Sequence, residues 1–145
     1  MVELSETDKA YIAGLFDGEG SVGYYFRKRA HSVVISLVNT NFQVLPWLLD
    51  RIPVGTLYTR KRGTWKESWE ISIRKVADVV IFLSTIRPYL IIKADQVDLL
   101  LSHLSAEQEI YRANYRKLPD HIIARRFEID QKLRELKTIP TKGTH

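Results

Sequence analysis

Hydrophobic and polar residues alternate with a period of two in four segments of the chain. In the first segment Val22, Tyr24 and Phe26 share one side, while polar and basic residues occupy the other. This alternation is typical of a half-buried β-strand. The segments occur in two pairs, which predicts two β-hairpins, the first turning near residues 29–31 and the second near Gly63. The predicted strands are residues 21–29, 32–39, 56–62 and 66–74.

A helical period of hydrophobic residues precedes and separates the hairpins. A first helix is predicted over residues 6–18, where Ser5 begins a pattern that resembles a capping box. The connection between the hairpins predicts a short helix capped near Thr40 or Asn41. Pro46 lacks a backbone donor, so this helix is expected to start late or to be kinked.

More helix follows the second hairpin, so the element order is αββαββα with extra C-terminal helices. Pro119 divides the last helical stretches, and residues 138–145 are interpreted as a C-terminal tail. The order predicts an α+β fold with one antiparallel sheet and helices packed on one of its faces. We expect one domain over residues 1–137, because a chain of 145 residues is too short for two well-formed cores.

Positive charge is concentrated in the segment that carries the strands. The net charge is +5, yet residues 20–66 contain eight basic residues and one acid, while the rest of the chain sums to −2. This asymmetry favours a polyanionic partner, since each neutralised phosphate releases counterions. A solvated basic face is the alternative. The charge lies on strand-like segments, so no membrane partner is expected.

The cysteine count, the apolar runs, the first residues and the histidines exclude several classes of protein. Without cysteine the chain forms neither disulfides nor thiolate metal sites, and it has no apolar run of transmembrane length. Its first residues are acidic and polar, unlike a signal peptide, so an intracellular location is expected. The four histidines have no metal-ligand spacing along the sequence.

The first helix divides into a face of large residues and a face of small residues when successive positions are placed about 100° apart. Small residues allow two helix backbones to approach closely. We therefore expect the same helix of a second copy to pack there in a two-fold dimer, with another helix of the same chain as the alternative. The large face comprises Tyr11, Ile12, Leu15 and Phe16, and the small face comprises Ala10, Ala13, Gly14, Asp17 and Gly18.

The helix ends on Asp17-Gly18-Glu19-Gly20 and runs directly into the first strand. Glycine inside a helix costs about 1 kcal/mol relative to alanine, so an ordinary helix would not carry these glycines. Carboxylates and helix-end carbonyls are hard oxygen ligands suited to Mg²⁺ or Ca²⁺, although acid and glycine clusters are also common in loops. Beside a basic sheet, such a metal suggests phosphodiester hydrolysis.

The stretch YIAGLFDGEG resembles the signature of the LAGLIDADG homing endonucleases, with Ile12 to Gly20 filling the motif positions. One motif, the αββαββα order and the chain length are similar to those of the single-motif, homodimeric members. The resemblance implies an intron-encoded endonuclease that uses a saddle-shaped sheet to bind double-stranded DNA. It implies Mg²⁺-dependent cleavage of both strands of a long, near-palindromic site, with Mn²⁺ or Ca²⁺ able to substitute in binding.

The resemblance also assigns roles to individual residues. It places Glu19 at the position that binds the catalytic metal and makes the carbonyl of Gly18 a further ligand, while Asp17 is structural. Lys93 resembles the basic residue near the scissile phosphate, with a solvent-exposed lysine as the alternative. Asn41 resembles a polar residue that orders water, with a helix cap as the alternative.

The DNA contacts are predicted from strand alternation as well as from the resemblance. The outward positions are polar or basic, and arginine and glutamate side chains can pair with guanine and cytosine edges. The family often has a second basic residue near the position of Leu45, and this chain has none there. The predicted DNA-binding residues are Ser21, Tyr25, Arg27, Arg29, Ser32, Ser36, Thr56, Tyr58, Arg60, Arg62, Ser68, Glu70 and Ser72.

Two other functions are compatible with the same scaffold. One is a maturase-type splicing factor that binds RNA, and it would retain splicing when Glu19 is replaced by glutamine. The other is a DNA-binding regulator without catalysis, against which the intact acids of the motif argue.

Overall fold

The computed structural model describes residues 3–138 and confirms the predicted order of elements. The predicted tail lies, apart from Thr138, outside the described residues. In chain order the elements are α1 (Glu6–Glu19), β1 (Gly20–Arg27), β2 (Ala30–Asn39), α2 (Leu45–Arg51), β3 (Thr56–Arg60), β4 (Ser68–Ile73), α3 (Val76–Ile86), a 3₁₀ turn (Arg87–Tyr89), α4 (Ala94–Ala113) and α5 (Asp120–Thr138).

The four strands form one antiparallel sheet in the order β1-β2-β4-β3. Val22 pairs with Ile35 and Leu37 pairs with Ile71, so the apolar residues of successive strands share one face. The helices cover that inner face, whereas the edge strand β3 is exposed along its whole length. The buried residues of the inner face are Val22, Tyr24, Val33, Ile35, Leu37, Trp69, Ile71 and Ile73.

The cap of α1 is as predicted, but the turn of the first hairpin is not. The Ser5 hydroxyl oxygen accepts a hydrogen bond from the backbone N–H of Asp8 at 3.1 Å. The turn lies at Lys28 and Arg29 instead of residues 29–31, because Arg27 already pairs with Ala30. Both turn residues have positive φ, 50° and 71°, a conformation usually supplied by Asn-Gly.

The short helix α2 starts late, as its proline predicts, but the predicted cap is wrong. Its N-cap residue is Val44, and Pro46 lies in its first turn. Asn41 lies before the helix, where its side-chain Oδ1 accepts the backbone N–H of Gln43 at 2.8 Å. The peptide carbonyl of Asn41 accepts the indole N–H of the buried Trp69 at 2.8 Å, which ties this connection to the sheet.

The C-terminal helices pack against the first hairpin as well as against each other. Helix α4 continues to Ala113, beyond its most apolar stretch, and Pro119 precedes α5 as expected. Helix α5 contacts β1 and α4. Among the described helices, none combines the length and the apolar character that a membrane crossing requires.

Candidate active site and nucleic-acid interface

The C-terminal end of α1 passes into β1 without a loop. Gly20 caps the helix with an extended backbone, and its N–H donates to the carbonyl of Phe16. A Cβ at Gly20 would lie 2.2 Å from a ring carbon of Phe16, so this position requires glycine. Glu19 is the last helical residue and is exposed. Within residues 3–138 its carboxylate forms no ion pair and no side-chain hydrogen bond, so it is available to a ligand.

The carboxylate of Asp17 is buried within its own chain. Its two oxygens accept the backbone N–H groups of Ile91 and Lys93, at 2.8 and 2.9 Å. These bonds fix the segment between the 3₁₀ turn and α4 against α1. The structural role implied by the resemblance agrees with this contact.

Lys93 lies at the same helix end. Its Nζ donates a hydrogen bond to the backbone carbonyl of Asp17 at 2.7 Å, where a positive charge offsets the negative end of the helix dipole. The fold therefore brings Gly18, Glu19 and Lys93 together. Among the described residues no hydrogen bond joins Asn41 to this group, so its role in ordering water stays a prediction.

Two residues assigned to the small face of α1 are not accessible. Within one chain Ala13 is fully buried and Asp17 is 8% exposed, so neither offers side-chain surface to a second copy, and their place in a dimer interface stays a prediction. Tyr11, assigned to the buried face, is 53% exposed and packs edge-on against Trp47 of α2. The exposed small residues of the helix are Ala10, Gly14 and Gly18.

The outer face of the sheet carries the residues predicted from strand alternation. Ser36 lies between Ser21 of β1 and Ser72 of β4, and Ser72 pairs in turn with Thr56 of β3. The hydroxyls of Ser21 and Ser36 are 2.7 Å apart. Within the strands, all predicted outer residues lie on this face, and we name it the outer sheet face. Its members are Ser21, Tyr25, Arg27, Ser32, Ser36, Thr56, Tyr58, Arg60, Ser68, Glu70 and Ser72.

Three predicted DNA contacts differ in detail from the sequence interpretation. Ser72 is 1% exposed and donates its hydroxyl to Glu70 at 2.7 Å, so its contact with DNA stays a prediction and any effect it has there passes through Glu70. Arg29 lies in the turn of the first hairpin, and Arg62 lies beyond β3, in the second hairpin's connection. Both arginines are exposed, so basic residues extend past the ends of the strands.

The family's second basic residue could not be assigned from the sequence, and α5 brings one basic residue, Lys137, near Lys93. The pKa of Lys137 is lowered by desolvation and by the positive charges of Arg134 and Lys93. Lys137 therefore lies within electrostatic reach of Lys93, although the two are far apart in sequence. No local pattern could have indicated this proximity.

A second group with metal-ligand chemistry lies on the inner face of the sheet. Ligand atoms of His31, His103 and Glu107 all lie within 4.8 Å of one another, which their sequence spacing did not indicate. The Tyr24 hydroxyl lies between the imidazoles, 3.0 Å from His31 Nδ1 and 2.8 Å from His103 Nε2. Arg126 donates to both oxygens of Glu107. This neighbouring cation opposes a metal, and the contacts explain the group as a buried polar network.

The pKa values of this network follow from its burial. Desolvation lowers the pKa of His103 to about 4 and also lowers the pKa of His31. Burial raises the pKa of Glu107, but the Arg126 guanidinium outweighs it and holds the value below normal. Both histidines are therefore neutral at pH 7, while Glu107 and Arg126 form a buried ion pair.

These features define a class: an α+β protein whose acidic helix end meets a polar and basic sheet face. Residues 6–87 match the family model described as the LAGLIDADG-like domain, and the chain belongs to this family. The match confirms the resemblance of the motif. A search of the curated proteins gives no match.

Solved structures share the fold over nearly the whole chain. The homing endonuclease I-CvuI, in complex with its target in the presence of Ca, has a TM-score of 0.70 at 17% identity, covering 95% of this chain and 87% of its own. The archaeal intron-encoded homing endonuclease I-Vdi141I, complexed with DNA, has a TM-score of 0.68 at 18% identity, covering 96% and 87%. The homing endonuclease I-TnaI has a TM-score of 0.63 at 21% identity, covering 94% and 95%.

Proposed function

We propose that the chain is a site-specific DNA endonuclease that acts as a homodimer and hydrolyses phosphodiester bonds with a divalent metal. One observation carries the proposal. Glu19 ends α1, at the helix end where the Lys93 ammonium group binds the carbonyl of Asp17, and lies two residues before Ser21, the first residue of the outer sheet face. An acid that can hold a metal thus lies where a DNA-binding surface begins. The solved relatives complexed with DNA support the same conclusion.

The outer sheet face is suited to a DNA groove. Strand β2 has ten residues and covers about 33 Å, roughly one turn of duplex. Basic residues lie at the ends of both hairpins, where the phosphate backbone would pass. Glu70 is held by Arg60 at 3.1 Å and by Ser72, so its carboxylate orients neighbouring side chains in addition to any contact with a base.

The donor atoms at the end of α1 fit a hard cation. Glu19 offers a carboxylate that is unpaired among residues 3–138, Gly18 offers a carbonyl at the negative end of the helix, and oxygen ligands of this kind suit Mg²⁺. When bound, the ion supplies water activation and stabilisation of the leaving oxygen. Lys93 stabilises charge on the scissile phosphate, and Asn41 orders the attacking water. One protomer supplies few ligands, so the site is completed by DNA phosphates and a second copy.

The exposed small residues of α1 provide a surface for that second copy. A Cβ added at Gly14 or Gly18 would meet nothing within 4 Å in its own chain. Each helical glycine nevertheless costs about 1 kcal/mol relative to alanine, and no contact within residues 3–138 requires it. Close approach of a second α1 along Ala10, Gly14 and Gly18 explains these residues. It would place two copies of Glu19 near the two-fold axis.

The test is the substitution Glu19→Gln, which keeps the shape of the side chain and removes the charge. We expect loss of Mg²⁺-dependent cleavage, in a selection from a randomised DNA pool followed by single-turnover assays, with DNA binding retained. The matched control is Glu109→Gln, since Glu109 is exposed on α4 and pairs only with Arg112 at the surface. Cleavage by Glu19→Gln at the wild-type rate would refute the assignment of Glu19.

A further inference from the structure

Helix α5 holds the first hairpin at its tip from the inner side. Asp130 Oδ2 accepts the backbone N–H of Phe26 at 2.9 Å, and Arg126 Nη1 donates to the backbone carbonyl of Arg29 at 2.9 Å. Arg126 and Asp130 are one helical turn apart, and both are buried. Together they bind the backbone of β1 before the two-residue turn and the backbone of the turn's second residue. We name this pair of side chains the hairpin clamp.

Both members of the hairpin clamp are themselves fixed by charged partners. Arg126 makes two hydrogen bonds to Glu107 of α4, at 3.0 and 2.7 Å. Arg134 binds the other oxygen of Asp130. Burial raises the pKa of Asp130, but its bonds to Arg134 and to the Phe26 amide leave the value below normal. The hairpin clamp is therefore charged and rigid at neutral pH.

The hairpin clamp holds the turn in a backbone conformation that the two turn residues disfavour. Lys28 and Arg29 both have left-handed φ values, which cost roughly 1 kcal/mol each in residues other than glycine. Such conformations persist when the surrounding structure holds them in place. Here the contacts from α5 bind the turn residue Arg29 and, two residues before Lys28, the backbone of Phe26. The basic side chains of both turn residues are exposed.

We propose that Arg126 and Asp130 are positioning residues for target specificity: through the backbone of the first hairpin they set the height and angle of its basic tip over the DNA. The inference rests on the proposed DNA-binding function of the outer sheet face. The tip is the end of β1 farthest along the strand from Glu19, so it reads the outer base pairs of each half-site. The family model matches residues 6–87, and the hairpin clamp lies outside that range.

The test compares Asp130→Ala and Arg126→Ala with the conservative Asp130→Asn, whose side-chain oxygen can still accept the Phe26 N–H. Each variant is given a target pool randomised in turn at outer and at central positions. In the alanine variants we expect the preference for the correct base over the other bases to fall about tenfold at the outer positions and to stay unchanged at the central ones. Asp130→Asn keeps the bond to the Phe26 amide and loses the one to Arg134, so its loss of outer preference should be smaller than that of Asp130→Ala. In the alanine variants kcat on the saturating wild-type site should be unchanged while KM rises.

A second measurement keeps the inference testable if an alanine variant fails to fold. Arg134→Gln removes only the exposed partner of Asp130, and hydrogen exchange of the Phe26 amide should accelerate in this variant together with a smaller loss of outer preference. Equal loss of preference at all positions, or unchanged profiles in folded variants, would overturn the proposal. If the wild type binds no DNA, the proposed function fails. If it binds and cleaves with an unaltered profile in every variant, only the role of the hairpin clamp fails.

Discussion

Acid should destabilise this protein through His103, a buried histidine of α4. The side chain is 1% exposed, its Nε2 is 2.8 Å from the Tyr24 hydroxyl, and its Nδ1 has no hydrogen-bond partner among the described residues. A proton on this imidazole would bring a second positive charge into a buried network that already holds the guanidinium of Arg126. The titratable and charged groups that face it are Tyr24 of β1, His31 of β2, Glu107 of α4, and Arg125 and Arg126 of α5.

The size and sign of the effect follow from its pKa. Desolvation lowers the pKa of His103 from 6.5 to about 4 in the folded protein. Between these values the unfolded chain binds a proton that the folded chain does not. As far as His103 determines it, the free energy of unfolding is therefore highest above pH 6.5 and falls steadily as the pH drops towards 4. A difference of 2.5 pKa units at 1.36 kcal/mol per unit is about 3 kcal/mol, a large part of the stability of a small domain.

The assay is urea unfolding at pH 7, 6, 5 and 4 for the wild type and for His103→Gln. Glutamine can reach the Tyr24 hydroxyl from the same position and does not titrate. The wild type should lose about 3 kcal/mol more than His103→Gln between pH 7 and pH 4. His121→Gln is the matched control, because His121 is exposed. Parallel stability curves for the wild type and His103→Gln would refute the reasoning, since they would mean that His103 titrates equally in both states.

Three other outcomes follow from the end of α1. Gly20→Ala should lower the free energy of unfolding by about 1–3 kcal/mol because its Cβ would overlap the ring of Phe16; urea titration measures the change, and an unaltered midpoint would contradict the overlap. Lys93→Met should slow single-turnover cleavage by about 10²–10³-fold while Kd for DNA changes little, and an equal loss in binding would contradict its place at the phosphate. Gly14→Leu should shift sedimentation towards the monomer, whereas an unchanged dimer would exclude close packing of α1 on α1.

The sheet could be predicted from the sequence because its signal is local. Tyr24 and Tyr25 are the same residue type, yet their positions in a period of two place the first under the helices and the second on the outer sheet face. A strand offers only two directions, so a few hydrophobic residues settle the register. The turn at Lys28 and Arg29 escaped the same reasoning, because its backbone conformation is held by residues of α5 about a hundred positions away.

The two faces of α1 show where residue size misleads. Size alone placed Tyr11 in the core and Asp17 at the surface, and the structure reverses both positions. Tyr11 finds an aromatic partner at the surface in Trp47 of α2. Asp17 is buried because two backbone N–H groups from the segment before α4 satisfy its oxygens. A helical wheel contains no information about such distant donors, and a buried carboxylate is stable only where they exist.

The same contacts explain why the motif carries two acids so close together. Positions two apart on a helix point in roughly opposite directions, so Asp17 faces into the protein while Glu19 remains exposed. Asp17 fixes the backbone at Lys93, and the side chain of Lys93 returns to the carbonyl of Asp17. One acid therefore sets the position of the ammonium group relative to the other acid. Because Gly20 lets β1 begin at once, both charges are held in a fixed relation to the outer sheet face, and with it to any DNA bound there.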